Sequence, residues 1–129
     1  MDDKGAINGF TNTHVMTDNI PVEDLKDHTT KIENINVVIP EILLILKQGA
    51  ELDRKYTIKG NKDQIDILTL IIYSDIVFKK YNLLLKKYNL EHYSKRLKEI
   101  IKKFKDTDYL NMNLREFKLK KEKLLKKID

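Results

Sequence analysis

The chain has 129 residues with a formal net charge of +5, and 41% of them are hydrophobic against 35% charged, which is too apolar for a wholly disordered chain and long enough for one packed domain. It contains no cysteine, so a disulfide framework and a thiolate site are excluded, and the composition fits a reducing, cytoplasmic compartment. The charge is unevenly placed: residues 1–78 hold 8 Lys and Arg against 13 Asp and Glu, residues 79–129 hold 17 against 7, so the chain is acidic first and basic second.

Residues 1–19 show no sustained period and are rich in Gly, Asn, Thr and Asp, which reads as a flexible N-terminal tail ahead of a single domain over residues 20–129. The start Met1-Asp2-Asp3 is not a signal-peptide pattern. Pro21 followed by Glu23 and Asp24, with Asn19 before it as a cap, suits the first turn of a short helix. A firmer helix start is expected at Thr30, where Glu33 stands at capping-box spacing. From there Ile32, Ile35, Ile39, Ile42 and Leu46 alternate steps of three and four, predicting one helix to about Gly49 or Arg54. Pro40 lies inside it, and because the seam crosses the proline in phase the expectation is a kink there in preference to two helices with the second starting at the proline.

Residues 55–62 read as a connection, with a positive φ at Gly60 and Asn61 capping the next helix through Gln64. Residues 63–88 then form the most apolar stretch of the chain. Ile67, Leu70, Ile71, Ser74, Val77, Phe78, Tyr81, Leu84, Leu85 and Tyr88 share one helical face, while Ile65, Leu68, Ile72 and Ile76 cover the other side of its first half. The pattern predicts one long central helix, whose half from Ile65 to Phe78 is the buried axis of the fold. That run is short of the roughly 20 residues of a membrane span and contains Asp66, Ser74 and Asp75. The five residues KKYNL occur twice, from Lys79 and from Lys86, placing Tyr81 and Tyr88 two turns apart with lysines beside both.

Asn89 is the expected stop. A further helix follows on Leu90, Tyr93, Leu97, Ile100 and Phe104, is broken at Asp106-Thr107-Asp108, and gives way to a last helix with Asn113 and Glu116 at capping spacing. Leu114, Phe117, Leu124, Leu125 and Ile128 form its apolar face, with Lys121 in the middle, so Lys121 either snorkels or meets an acid. The fold class expected is all-α: a bundle of three to four long antiparallel helices with a short N-terminal helix or tail, joined by coiled-coil-like seams that could also serve a homodimer.

Catalytic signals are sparse. His14, His28 and His92 are isolated, Asp106-x-Asp108 reads as a cap, the four glycines form no phosphate loop, and Ser74 has no histidine near it in sequence. Asp66 and Asp75 must reach the surface or pair with lysine, because burying a bare carboxylate costs several kcal/mol, on the order of an ion's desolvation. The sequence therefore reads as a non-enzymatic protein-interaction module, an adaptor, regulator or inhibitor, with no cofactor, metal or small-molecule substrate, whose partner is another protein or a second copy of itself. The alternative is a nucleic-acid-binding accessory protein using the basic half. Either way the candidate contact residues are Lys79, Lys80, Tyr81, Lys86, Lys87, Tyr88, Lys102, Lys103, Lys126 and Lys127. A membrane partner is not expected, because the last helix lacks tryptophan and carries Lys121 on its apolar face.

Overall fold

A computed structural model describes residues 20–128. The tail expected over residues 1–19, including the cap at Asn19, lies outside them. The fold is mostly helical, with one small two-stranded sheet that the periodicity did not predict: α1 (Val22–Leu25), β1 (Thr29–Ile32), β2 (Ile35–Val38), α2 (Pro40–Asp53), α3 (Ile58–Tyr73), α4 (Phe78–Lys87), α5 (His92–Lys103) and α6 (Leu114–Ile128), with short 3-10 turns at Lys26–His28 and Thr107–Leu110. One cluster of buried apolar side chains runs from Ile20 to Ile128.

The helix expected from Thr30 is instead a β-hairpin. Thr29, Thr30, Ile32, Ile35, Val37 and Val38 are β-branched and suit a pleated strand. Glu33 and Asn34 take φ of 51° and 65°, both central positions of a type I′ turn, whose twist matches the strands it joins. The register pairs Thr29 with Val38, Thr30 with Val37, Lys31 with Asn36 and Ile32 with Ile35. The helix then begins at Pro40, at its first position, where the missing N–H costs nothing.

α2, and not the stretch after Asp63, is the axis of the fold. It packs against α3, α4 and α5, and Ile42, Leu44, Ile45, Leu46, Ala50 and the polar Glu41, Gln48 and Glu51 are all buried on it. Its polar residues lie off the seam of Ile39, Ile42 and Leu46 that the spacing picks out. Each is satisfied from another element. Glu41 accepts the Val77 N–H at 2.8 Å, Gln48 donates to the Tyr93 carbonyl at 2.9 Å and accepts from the Tyr81 hydroxyl, and Glu51 accepts from Arg96 and Gln64.

The long helix expected over residues 63–88 is two helices. α3 starts earlier, at Ile58, capped by the Thr57 hydroxyl, which accepts the Gly60 N–H at 3.0 Å, so neither Asn61 nor a loop conformation at Gly60 is used. It ends at Tyr73, with Ser74 extended at φ −112° and ψ 154°. Ser74 and Asp75 compete for backbone hydrogen bonds, and Ile76 and Val77 are β-branched. The Glu41 carboxylate then receives the N–H just ahead of α4, a cap supplied by another helix.

The later boundaries follow the sequence. Asn89 is left-handed at φ 57°, the Leu90 N–H bonds the Leu85 carbonyl at 2.8 Å and the Asn89 N–H bonds that of Lys86 at 3.3 Å, which is a Schellman ending. Asn113 and Glu116 cap α6 reciprocally, the Glu116 N–H donating to Asn113 Oδ1 at 2.8 Å and the Asn113 N–H to Glu116 Oε1 at 3.1 Å. Lys121 is half-buried with Nζ 5.6 Å from the centre of the Phe117 ring, so its charge meets an aromatic face instead of an acid.

Candidate functional site

α4 carries five of the ten candidate contact residues, with Tyr88 just past its end, and the break before it decides which of them are accessible. Phe78, Tyr81, Leu84 and Leu85 turn inward. Lys79, Lys80, Lys86 and Lys87 turn outward, as do Lys102 and Lys103 on α5 and Lys126 and Lys127 on α6. Tyr81, expected beside a partner, is fully buried and donates to Gln48, with its ring edge-on to Phe78 at 6.0 Å. It belongs to the core.

Tyr88 is half-buried and ties α4 to the root of the hairpin. Its hydroxyl donates to Asp24 Oδ2 at 3.0 Å, and His28 Nε2 lies 3.3 Å from the same oxygen. With the phenol proton directed at Asp24, the imidazole nitrogen is the donor to the phenol. Burial, the hydrogen bond to Asp24 and the charges of Asp24 and Asp27 push the Tyr88 phenol up to about 12, and burial raises that of Tyr81 as well. An unfolded chain would ionise Tyr88 near its ordinary value of 10.0, while the folded chain keeps the proton. Its contribution is therefore complete below pH 10.0 and is lost as the pH rises toward about 12. Thermal melts across that window should show Tyr88→Phe declining less steeply than the wild type.

The lysine pairs do not all have the same explanation. Lys86 and Lys87 stand in the last turn of α4, Lys102 and Lys103 in that of α5, Lys126 and Lys127 in that of α6, where the exposed carbonyls favour cations by about 0.3–1 kcal/mol each. Lys79 and Lys80 stand in the first turn of α4, at the opposite pole. The Asn82 side chain donates to the Ile128 carbonyl at 3.2 Å, which sets the end of α6, with Lys126 and Lys127, against the middle of α4.

The acids of the first half pair as follows: Asp63 with Arg54 at 2.8 Å, Asp66 with Lys47 at 3.3 Å and Glu51 with Arg96 at 2.5 Å. Asp66 lies in an open groove of about 340 Å³ between α2 and α3, lined also by Leu43, Lys47, Leu70 and Tyr73. Asp75 is exposed. Among the described residues no three His, Cys, Asp or Glu are placed to hold a metal ion together, and no helix is long and apolar enough to cross a membrane.

Several exposed apolar side chains escaped the sequence reading, among them Val77 and Leu114, each expected on an apolar helix face. The isoleucines paired at the hairpin tip, Ile32 and Ile35, are 58% and 63% exposed. The β-branched residues flanking Glu33-Asn34 were the available signal for that hairpin. Leu83, 61% exposed, lies off the apolar stripe and among lysines, which its spacing from Lys79, Lys80, Lys86 and Lys87 already implied. Compared with models of known protein families, with curated proteins and with solved structures, the chain matches none, so its function is argued from these surfaces alone.

Proposed function

We propose that the chain is a non-enzymatic protein-interaction module that meets another protein, or a second copy of itself, through the tip of the β-hairpin. The observation that carries this reading is the exposed cross-strand pair of Ile32 and Ile35. A two-stranded ribbon is marginal in water by itself, yet this one is held at its base, where the Ile39 N–H donates to the His28 carbonyl at 2.8 Å and Val38 and Ile39 pack on the core. The base is anchored and the apolar tip is left in water. Covering the two isoleucines would gain about 25 cal/mol per Å² of apolar surface removed from solvent.

The test is affinity capture from native lysate with the wild type and with the Ile32→Ser/Ile35→Ser variant, alongside light scattering of both. Wild type should retain a protein partner or self-associate, with the complex surviving nuclease and lost in the double variant. A strict monomer that retains no protein would overturn the reading.

A second reading, binding to nucleic acid, is favoured by the exposure of Lys79, Lys80, Lys86, Lys87, Lys102, Lys103, Lys126 and Lys127. It requires duplex DNA affinity to fall with salt by about 0.9 in log–log slope for each phosphate contacted. It also requires that affinity to drop when Lys102, Lys103, Lys126 and Lys127 become Glu. No binding at low salt removes it.

A further inference from the structure

On a helix, the nearest surface neighbours of a residue are those three and four positions away on either side. For Leu83 these are Lys79, Lys80, Lys86 and Lys87, all four exposed and all within α4. An exposed leucine is thus ringed by four cations on one helix face. Core packing does not account for Leu83, which is 61% exposed, while its neighbours Leu84 and Leu85 are buried. Helix stability accounts for half of the ring only. Lys86 and Lys87 suit the carbonyl end of α4, and Lys87 Nζ also lies 5.4 Å from the centre of the Tyr88 ring. Lys79 and Lys80 lie at the amide end, where the helix dipole disfavours positive charge.

We propose that this face docks an acidic amphipathic segment of another protein, carboxylates meeting the four lysines and an apolar side chain covering Leu83. Charge complementarity fixes the sign of the partner, and the leucine fixes its kind. A phosphate backbone would use the lysines and leave Leu83 uncovered. A second copy docking by the same face around a two-fold axis would set lysine against lysine. A segment with apolar residues at helical spacing between acids satisfies both the centre and the ring. The inference shares the protein-interaction class proposed above but rests on a different surface, and it fails separately.

The test uses the full chain and fluorescence anisotropy with a labelled peptide carrying leucines at helical spacing between glutamates. A second peptide has the leucines replaced by serine, and a third probe is labelled duplex DNA. The leucine peptide should bind more tightly than the serine peptide. Leu83→Gln should weaken the leucine peptide by about tenfold, the effect of losing one buried leucine contact, and leave the serine peptide unchanged. Lys79→Gln/Lys80→Gln should weaken both. All three positions are solvent-facing, so the Leu83→Gln midpoint should match the wild type, the Lys79→Gln/Lys80→Gln midpoint should match or exceed it because the amide end of α4 disfavours those charges, and Ile32→Ser/Ile35→Ser should bind the peptide normally.

Equal binding of the two peptides, or indifference of the leucine peptide to Leu83→Gln, would overturn the proposal. Duplex DNA binding tighter than the leucine peptide, weakened by Lys79→Gln/Lys80→Gln and indifferent to Leu83→Gln, would assign the face to phosphate. Loss of peptide binding in the hairpin variant would move the site to the hairpin.

Discussion

Replacing Arg96 by alanine should destabilise the protein by about 3–5 kcal/mol, the cost of leaving a buried charge without its partner. Glu51 is completely buried on α2, and the Arg96 side chain, on α5, is 12% exposed. Arg96 Nε donates to Glu51 Oε1 at 2.9 Å and a terminal nitrogen to Oε2 at 2.5 Å, in the two-pronged geometry that matches guanidinium to carboxylate. Gln64 Nε2 adds a third donor at 3.0 Å from α3, and Glu99 accepts from the outer side of the guanidinium at 3.4 Å. These bonds hold the Arg96 guanidinium above its ordinary value. With Arg96 gone, Glu51 keeps one neutral amide in a place water does not reach. The double variant Glu51→Met/Arg96→Met should recover most of the loss, because apolar side chains of similar volume replace a pair whose desolvation offsets much of its attraction. Urea denaturation of both variants checks this. A small loss in the single variant with an unchanged slope against urea would mean that Glu51 is not held as the geometry describes.

Gly60→Ala should cost about 3 kcal/mol, the upper end of the usual range for forcing an atom into occupied space. Intrinsic preference points the other way, since alanine in a helix interior is better than glycine by roughly 0.5–1 kcal/mol. Geometry decides the sign. A Cβ on Gly60 would lie 2.1 Å from the Arg54 carbonyl oxygen and 2.9 Å from its carbon. That oxygen is fixed, accepting the Thr57 N–H at 3.1 Å and the Thr57 hydroxyl at 2.6 Å. The Arg54 side chain is fixed as well, with two bonds of 2.9 and 2.8 Å to the buried carboxylate of Asp63. Nothing nearby can yield without breaking the corner that joins α2 to α3. A midpoint in thermal or urea unfolding equal to or above that of the wild type would refute the clash.

What the sequence made legible was set by short-range chemistry. The end of α4 at Asn89 and the reciprocal cap of Asn113 and Glu116 each involve residues a few positions apart, and both were readable. The hairpin was misread because a spacing of three is ambiguous. Ile32 and Ile35 are neighbours on a helix face and equally neighbours across a two-residue turn, and only the β-branched composition separates the two. The break at residues 74–77 has a local cause in Ser74, Asp75, Ile76 and Val77 that the apolar stripe masked, and the cap that follows it comes from Glu41, 36 positions before the amide it receives, which no local pattern contains. The same holds for α2. Glu41, Gln48 and Glu51 look like surface residues until Val77, Tyr81, Tyr93 and Arg96 arrive to satisfy them. Of the candidate contact residues the lysines are exposed as their charge implied, whereas Tyr81 follows its place on the apolar stripe into the core, and only the partner of its hydroxyl, Gln48, lies 33 positions away.

The corner at residues 54–57 also bears on the order in which the molecule assembles. It joins α2 and α3, whose mutual interface is the most extensive between any two helices of the described chain. Closing so short a connection costs little chain entropy, whereas bringing Asn82 to the Ile128 carbonyl spans 46 positions. Local closure at low entropic cost favours early formation, so the α2–α3 pair is the natural nucleus and the docking of α6 on α4 a later event. The contact that seats the end of α6, with Lys126 and Lys127, beside Asn82 is then among the last to close.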